Sequence, residues 1–295
     1  MRHLSDKRAV ICAFPVGEKG YRKRPCGKCH PCRENRRRKW LARLLLETKC
    51  YDSSIFVTLT YNDEELPQCR DPESGEELGT LEKSDVTEFL KKIQKSASRT
   101  LLSSSSTGKP GRYYACAEYG TKTARPHYHA ILFGLDDSWK ETIEKTWQKG
   151  FISIRPVDRA ALKYTLKYVL KNESDPESPW LRGRQPTFAV MSQKPPIGTS
   201  FLPLVAEMLK KVNFTDQGDP LQAIPAHIRI DGEVLPLDRT MLRKLKQQLG
   251  LEPHQEAAAF PKTIFSEPED GKKTAAKVYH SRTQRDRKRQ TQNSV

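Results

Sequence analysis

The stretch Arg112-Tyr-Tyr-Ala-Cys-Ala-Glu-Tyr119, Gly120-Thr-Lys-Thr-Ala-Arg125, Pro126-His-Tyr-His-Ala-Ile-Leu-Phe133 decides how the chain folds. Two runs rich in aromatic and apolar residues flank six turn-forming residues, the pattern of a β-hairpin. Upstream, Ile55-Phe-Val-Thr-Leu-Thr-Tyr61 is β-branched and aromatic throughout and reads as another strand. An acidic loop follows, and Ser84 then serves as the expected N-cap of a helix striped by Val86, Phe89, Leu90 and Ile93. Downstream, Ser138–Trp147 reads as helix, Gly150–Val157 as strand, and Asp158–Lys171 as a periodic helix capped by Asp158. The order β-α-β-β-α-β-α predicts an α+β, split βαβ (ferredoxin-like) arrangement: a mostly antiparallel central sheet with helices on one face.

The flanks differ in kind. Residues 1–54 form a basic, cysteine-bearing segment that ends in an expected helix over Glu34–Cys50, with Trp40, Leu41, Leu44 and Leu45 at helical spacing. Residues 55–172 are the expected core. Residues 173–266 are a C-terminal extension in which Ser174–Ser200 holds five of the twenty prolines. It also carries a small hairpin about Asp231-Gly232 and an amphipathic helix over Asp238–Leu249. Residues 267–295 read as a basic disordered tail.

The formal net charge is +16, of which residues 19–43 carry +10 and residues 272–289 carry +7, leaving a nearly neutral body. Two basic segments around such a body predict a polyanionic partner. The longest apolar runs fall short of a membrane span, so no membrane association is expected. Ala9–Val16 lacks the small-residue cleavage site of a signal peptide. The absence of a Gly-x4-Gly-Lys-Ser/Thr string argues against a motor of its own. The seven cysteines suggest thiols or metal ligands in a reducing cytoplasm.

Two constellations carry chemistry. In His127-Tyr128-His129, strand alternation puts both imidazoles on one face, roughly 6–7 Å apart along the chain. If the hairpin closes tightly about its six-residue tip, Glu118 stands opposite His127 and shares that face. Two nitrogens and a carboxylate would then suit one divalent cation with open positions. A one-residue slip would turn Glu118 away, and strand histidines that merely pack or face solvent are the competing reading. The second constellation lies on the helix over 158–171. At about 100° per residue, Leu162, Leu166, Val169 and Leu170 form one stripe, while Tyr164, Lys167, Tyr168 and Lys171 share the opposite face. A phenol, with a pKa near ~10, becomes a nucleophile when ammonium groups such as Lys167 and Lys171 stabilise its anion. Attack on a phosphodiester would give a phosphotyrosine link and a free 3′ hydroxyl, conserving the bond for rejoining.

Cys26, Cys29 and Cys32 form a candidate structural zinc site, with Cys12 or His30 as fourth ligand. Plain thiols and an iron–sulfur cluster are the alternatives. Arg33, Arg36, Arg37, Arg38 and Lys39 read as phosphate contacts, against a merely solvated helix face. Cys50, Cys69 and Cys116 suggest no special role.

At these residues the chain resembles rolling-circle replication initiators of the HUH endonuclease superfamily. Val57-Thr-Leu-Thr-Tyr-Asn62 is similar to the first motif of that family, Arg125-Pro-His-Tyr-His-Ala-Ile-Leu-Phe-Gly134 to its His-hydrophobic-His motif, and Tyr164-x-x-Lys167-Tyr168-x-x-Lys171 to its two-tyrosine motif. Pro25-Cys-Gly-Lys-Cys-x-x-Cys32 and Glu118-Tyr-Gly120 point to the microviruses, in particular the gokushovirus-like group. The resemblance implies a metal-dependent DNA nickase with strand-joining activity that acts on the viral double-stranded replicative form in the host cytoplasm. Tyr164 and Tyr168 would be nucleophiles, His127, His129 and less firmly Glu118 the ligands of Mg2+ or Mn2+, and Arg125 a DNA contact. Origin DNA would be the partner, with host helicase and polymerase supplying unwinding and synthesis. A plasmid relaxase or transposase of the same superfamily, or a non-catalytic zinc-dependent nucleic-acid-binding protein, are the other readings.

Overall fold

The computed structural model describes residues 12–17, 24–100, 111–166, 176–211 and 226–251. Lys167, Tyr168, Lys171, most of the Ser-rich loop before Gly111 and the basic tail lie outside the described residues. In chain order the elements are α1 (His30–Thr48), β1 (Ser54–Tyr61), β2 (Gln68–Arg70), β3 (Glu77–Gly79), α2 (Lys83–Thr100), β4 (Arg112–Tyr119) and β5 (Pro126–Phe133). There follow α3 (Lys140–Trp147), β6 (Gly150–Pro156), α4 (Arg159–Thr165), β7 (Ala189–Met191), α5 (Leu202–Lys211), β8 (His227–Ile230), β9 (Glu233–Pro236) and α6 (Arg239–Gln248). Five strands form one sheet in the order β6-β1-β5-β4-β7, each neighbouring pair antiparallel. The α+β class and the antiparallel sheet agree with the sequence reading.

The expectation of helices on one face is corrected, because both faces are covered. On one, Val57, Leu59, Ala117, Tyr128 and Leu132 pack beneath Phe89, Leu90 and Ile93 of α2 and Ile143 and Trp147 of α3. On the other, Phe56, Tyr114, Ile131 and Phe133 meet Leu41, Leu44 and Leu45 of α1, Leu162 of α4, Leu202 of α5 and Met241 and Leu245 of α6. The central strands β4 and β5 are buried at nearly every position, the pattern of strands covered on both sides rather than alternating in to out. The flanking segments therefore share a core with the sheet.

Local boundaries shift for identifiable reasons. Helix α1 begins at His30, four residues before the expected Glu34, with Pro31 preset for the first helical turn. Ser84 is not the N-cap of α2: the helix starts at Lys83, and the Glu82 carboxylate accepts from both the backbone N–H and the hydroxyl of Ser84. Asp158 and Asp238 cap α4 and α6 as expected, accepting from Ala161 N–H and Met241 N–H. Asp231 and Gly232 both have positive φ, the requirement of the tight turn joining β8 to β9. The sequence missed the short pair β2–β3 inside the acidic loop. There Asp71 accepts from Glu73 N–H, the Ser74 hydroxyl and Arg182, contacts that hold its carboxyl down at about 2. It also missed β7 and α5. No helix among the described residues is long and apolar enough to cross a membrane.

One buried ion pair ties three segments together. Glu47, fully buried in α1, accepts from Arg112 Nε of β4 at 2.7 Å and from Gly198 N–H at 2.6 Å, while Arg112 Nη2 donates to the Pro195 carbonyl at 2.7 Å. Removing one member leaves an uncompensated charge in a dry site. Glu47→Ala is therefore expected to cost about 3 kcal/mol, read as a lower urea midpoint with unchanged slope.

Candidate functional site

Hairpin register places the first three residues. Glu118 of β4 pairs with His127 of β5, and Cys116 with His129, as closure about a six-residue tip requires. The tip itself is fixed by Gly120 N–H donating to the Arg125 carbonyl and Ala124 N–H to the Gly120 carbonyl. On the other side, Thr60 and Thr58 of β1 pair with His127 and His129. Directly paired residues share a face, so Glu118, His127, His129, Thr58 and Cys116 gather at one end of the sheet. Helix α4 brings Tyr164 over them.

The contacts converge on a single oxygen. Glu118 Oε1 lies 3.0 Å from His129 Nε2 and 3.3 Å from His127 Nε2, and it accepts from the Tyr164 hydroxyl at 3.0 Å. Glu118 and His129 are buried, His127 and Tyr164 partly so. Second partners set the rings. The Thr58 hydroxyl lies 3.0 Å from His129 Nδ1, and His127 Nδ1 lies 3.0 Å from the Arg125 carbonyl. A carbonyl only accepts, so Nδ1 of His127 carries the proton and the neutral ring turns its Nε2 lone pair on the carboxylate. Two lone pairs at that distance repel unless a proton or a cation lies between them. This donor set, two imidazoles and one carboxylate with ligand atoms within 4.8 Å of one another, fits a divalent cation.

Tyr164 is half-buried rather than turned from the core. Its ring stands edge-on to Phe56 and His129, with centroids 6.4 and 4.9 Å away, and Phe56 in turn stacks on His129 at 5.4 Å. Helix α4 crosses the end of the sheet, so the side opposite Leu162 still overlooks β5. Burial first, then the Glu118 carboxylate, pushes the Tyr164 phenol up to about 12. The tyrosine thus keeps its proton in the ground state.

The other expected site residues fall into two groups. Arg33, Arg36, Arg37, Arg38 and Lys39 all lie on the N-terminal half of α1, where Arg37 pairs with Glu34 and Arg38 donates to the Val234 carbonyl. Arg125 donates to the Tyr61 carbonyl and pairs with Asp63, which fixes the strand entering the site. The thiols of Cys26, Cys29 and Cys32 meet, and Cys12 rather than His30 completes the group.

Sequence reasoning overlooked Thr58, Cys116 and Phe151. Thr58 and Cys116 follow from the register, since both pair with His129. Phe151 pairs with Thr60, which pairs with His127, so its ring stands on the site face of the edge strand β6 at 69% exposure. A large apolar side chain so exposed beside polar ligands was readable only once the strand order was known.

Residues 54–173 match a family model described as a replication-associated protein of the ORF2 type. The chain is 33% identical over 162 residues to Replication-associated protein VP4 of Bdellovibrio phage phiMH2K, covering 50% of this chain and 48% of that protein. It is 34% identical over 171 residues to Replication-associated protein ORF2 of Spiroplasma virus 4, with the same coverage of each. Replication-associated protein ORF4 of Chlamydia phage 1 is 21% identical over 166 residues, covering 50% of this chain and 38% of that protein. The chain thus spans about half the length, or less, of the curated relatives it matches. No solved structure matches. From its first sheet strand through the helix bearing Tyr164, this chain is similar to phage replication-associated proteins of the ORF2 family.

Proposed function

We propose that the chain initiates replication by nicking origin DNA through a tyrosyl 5′-phosphate link, leaving a 3′ hydroxyl as primer, and later rejoins the displaced strand into a circle. The convergence of the Tyr164 hydroxyl with Glu118, His127 and His129 carries this reading. The similarity to phage replication-associated proteins supports it, as do the basic segments that flank the core.

In the proposed step the Tyr164 oxygen bonds to the scissile phosphorus while the bond to the 3′ oxygen breaks. The phosphoryl group passes to tyrosine, and the 3′ oxygen leaves as a hydroxyl after taking a proton. A divalent cation, Mg2+ or Mn2+, held by Glu118, His127 and His129 would polarise the scissile phosphate. Thr58 and the Arg125 carbonyl hold the two imidazoles in position, and Phe56 and His129 hold the phenol. Lys167 and Lys171 are assigned to stabilising the phenolate, and Tyr168 to the second transfer that seals the circle. Arg33, Arg36 and Lys39 are assigned to phosphate contacts, with host helicase and polymerase supplying unwinding and synthesis in the host cytoplasm.

The test is incubation with supercoiled circular DNA carrying the phage origin, with Mg2+ or Mn2+. Relaxed circles with protein covalently attached at a 5′ end are expected. DNA binding without any adduct would leave only a non-catalytic binding protein.

Phe151 is assigned to stacking a base beside the pocket, since every base offers a face to an exposed ring and such stacking contributes about 1–3 kcal/mol. Phe151→Ala should weaken binding of a single-stranded origin oligonucleotide about 5- to 100-fold. Phe151→Trp should keep the affinity, and its indole fluorescence should be quenched on binding.

A further inference from the structure

We propose that Cys12, Cys26, Cys29 and Cys32 hold one Zn2+ as a tetrathiolate, and that this ion fixes the N-terminal segment to the first turn of α1. The proposal stands whether or not the chain cleaves DNA. All four Sγ atoms lie within 4.8 Å of one another, with Cys12 to Cys29 at 3.9 Å and Cys26 to Cys32 at 4.0 Å. A tetrahedron with Zn–S near 2.3 Å has edges of about 3.8 Å, so the thiols already stand at nearly the spacing one ion requires. Disulfide sulfurs would stand about 2.05 Å apart, and all four cysteines are free. An iron–sulfur cluster would draw the thiols further apart, because each binds a different iron.

The backbone is shaped for the same end. Gly27, at φ 77°, turns the chain in the left-handed region between Cys26 and Cys29, a conformation other residues rarely adopt. Cys26 N–H donates to Cys12 Sγ at 3.3 Å and Cys29 N–H to Cys26 Sγ at 3.4 Å, contacts that favour sulfur bearing negative charge. Cys29 is the N-cap of α1 and makes no side-chain capping bond, while the first turn has no acidic residue. The positive end of the helix therefore faces sulfur alone. Val16 and Arg24 exchange two backbone hydrogen bonds at 2.9 Å, which brings the strand after Cys12 alongside the one before Cys26.

What makes the ion necessary is the poverty of the packing. Cys12, Cys29 and Cys32 form a buried cluster of their own, with only Ala13 and Cys26 packed against it. So small an apolar group stabilises little, and modules of this size are held by metals or disulfides. The linkage also orders the site. Along α1, Glu47 meets Arg112 and Trp40 meets Tyr114, so the helix traced backwards advances along β4 towards Glu118. The tetrathiolate sits at the far end of that helix, just ahead of Arg33, Arg36, Arg37, Arg38 and Lys39.

The full chain, purified without added metal, is expected to contain one equivalent of zinc by elemental mass spectrometry that Cys12→Ser and Cys32→Ser each lose. Cys69→Ser, at a thiol outside the group, should keep it. Since a zinc ion on the histidines would also be counted, Co2+ exchange supplies the second readout. Intense visible bands of tetrahedral cobalt with thiolate charge transfer are expected, and Cys12→Ser should abolish them. Limited proteolysis after chelation should open sites ahead of residue 30 while the sheet core stays resistant. Iron in place of zinc, no metal at all, or equal loss in Cys69→Ser would overturn the proposal.

Discussion

Replacing Tyr164 and Tyr168 together by phenylalanine should abolish the covalent adduct, lowering nicking of supercoiled origin DNA by about 10^4-fold or more, the scale of losing a covalent nucleophile. The change removes two hydroxyl groups and leaves both rings. The Tyr164 ring keeps its edge contacts with Phe56 and His129, so only the hydrogen bond to Glu118 is lost there, about 1 kcal/mol. A urea midpoint close to that of the parent protein should therefore accompany the loss of activity, which separates chemistry from folding. The single variants divide the work. With Tyr164→Phe, first-strand cleavage should fall sharply while any residual adduct maps to Tyr168. With Tyr168→Phe, cleavage should persist but circles should fail to close. Normal nicking by the double variant would remove the tyrosines from the reaction altogether.

How this site could be read before any coordinates depends on what kind of regularity encodes each part. Glu118 and His127 were placed by counting from a six-residue tip, because strand pairing is rigid arithmetic: one register puts the pair together and any slip of one residue separates them. The same arithmetic hid Thr58, since it gives no strand order, and Thr58 meets His129 only because β1 lies next to β5. The two-sided covering of the sheet was legible in principle from the apolar character of β4 and β5, but the helices that cover the second face come from both ends of the chain. Helix α5 and strand β7 lie in a proline-rich region whose local pattern is weak, and it is long-range contact that holds them. The cysteines show the limit from the other side. Spacing grouped Cys26, Cys29 and Cys32, but Cys12 joins them only through the Val16–Arg24 bridge, a contact no periodicity announces.

Glu118→Gln should separate the two roles gathered at one oxygen. The amide keeps nearly the shape of the carboxylate and can still accept from the Tyr164 hydroxyl, but it loses the charge that would draw a cation between the imidazoles. Adduct formation is expected to fall by about 10^3-fold, with the residual activity needing far more Mn2+. A second measurement requires no DNA. A ligand at a hundredfold its dissociation constant stabilises a folded protein by about 2.7 kcal/mol, so Mn2+ should raise the melting temperature of the parent chain and barely move that of Glu118→Gln. The thiol group does not confuse this result, since sulfur ligands are soft and Mn2+ favours oxygen and nitrogen. Without added metal the substitution should cost little stability, because a buried carboxylate facing the His127 lone pair is itself unfavourable. A variant that lost activity and folding together would show that Glu118 holds the hairpin in place. One that lost activity and the Mn2+ response while keeping its metal-free melting temperature would show that the carboxylate serves an ion at this end of the sheet, with a repulsion in the metal-free protein that binding relieves.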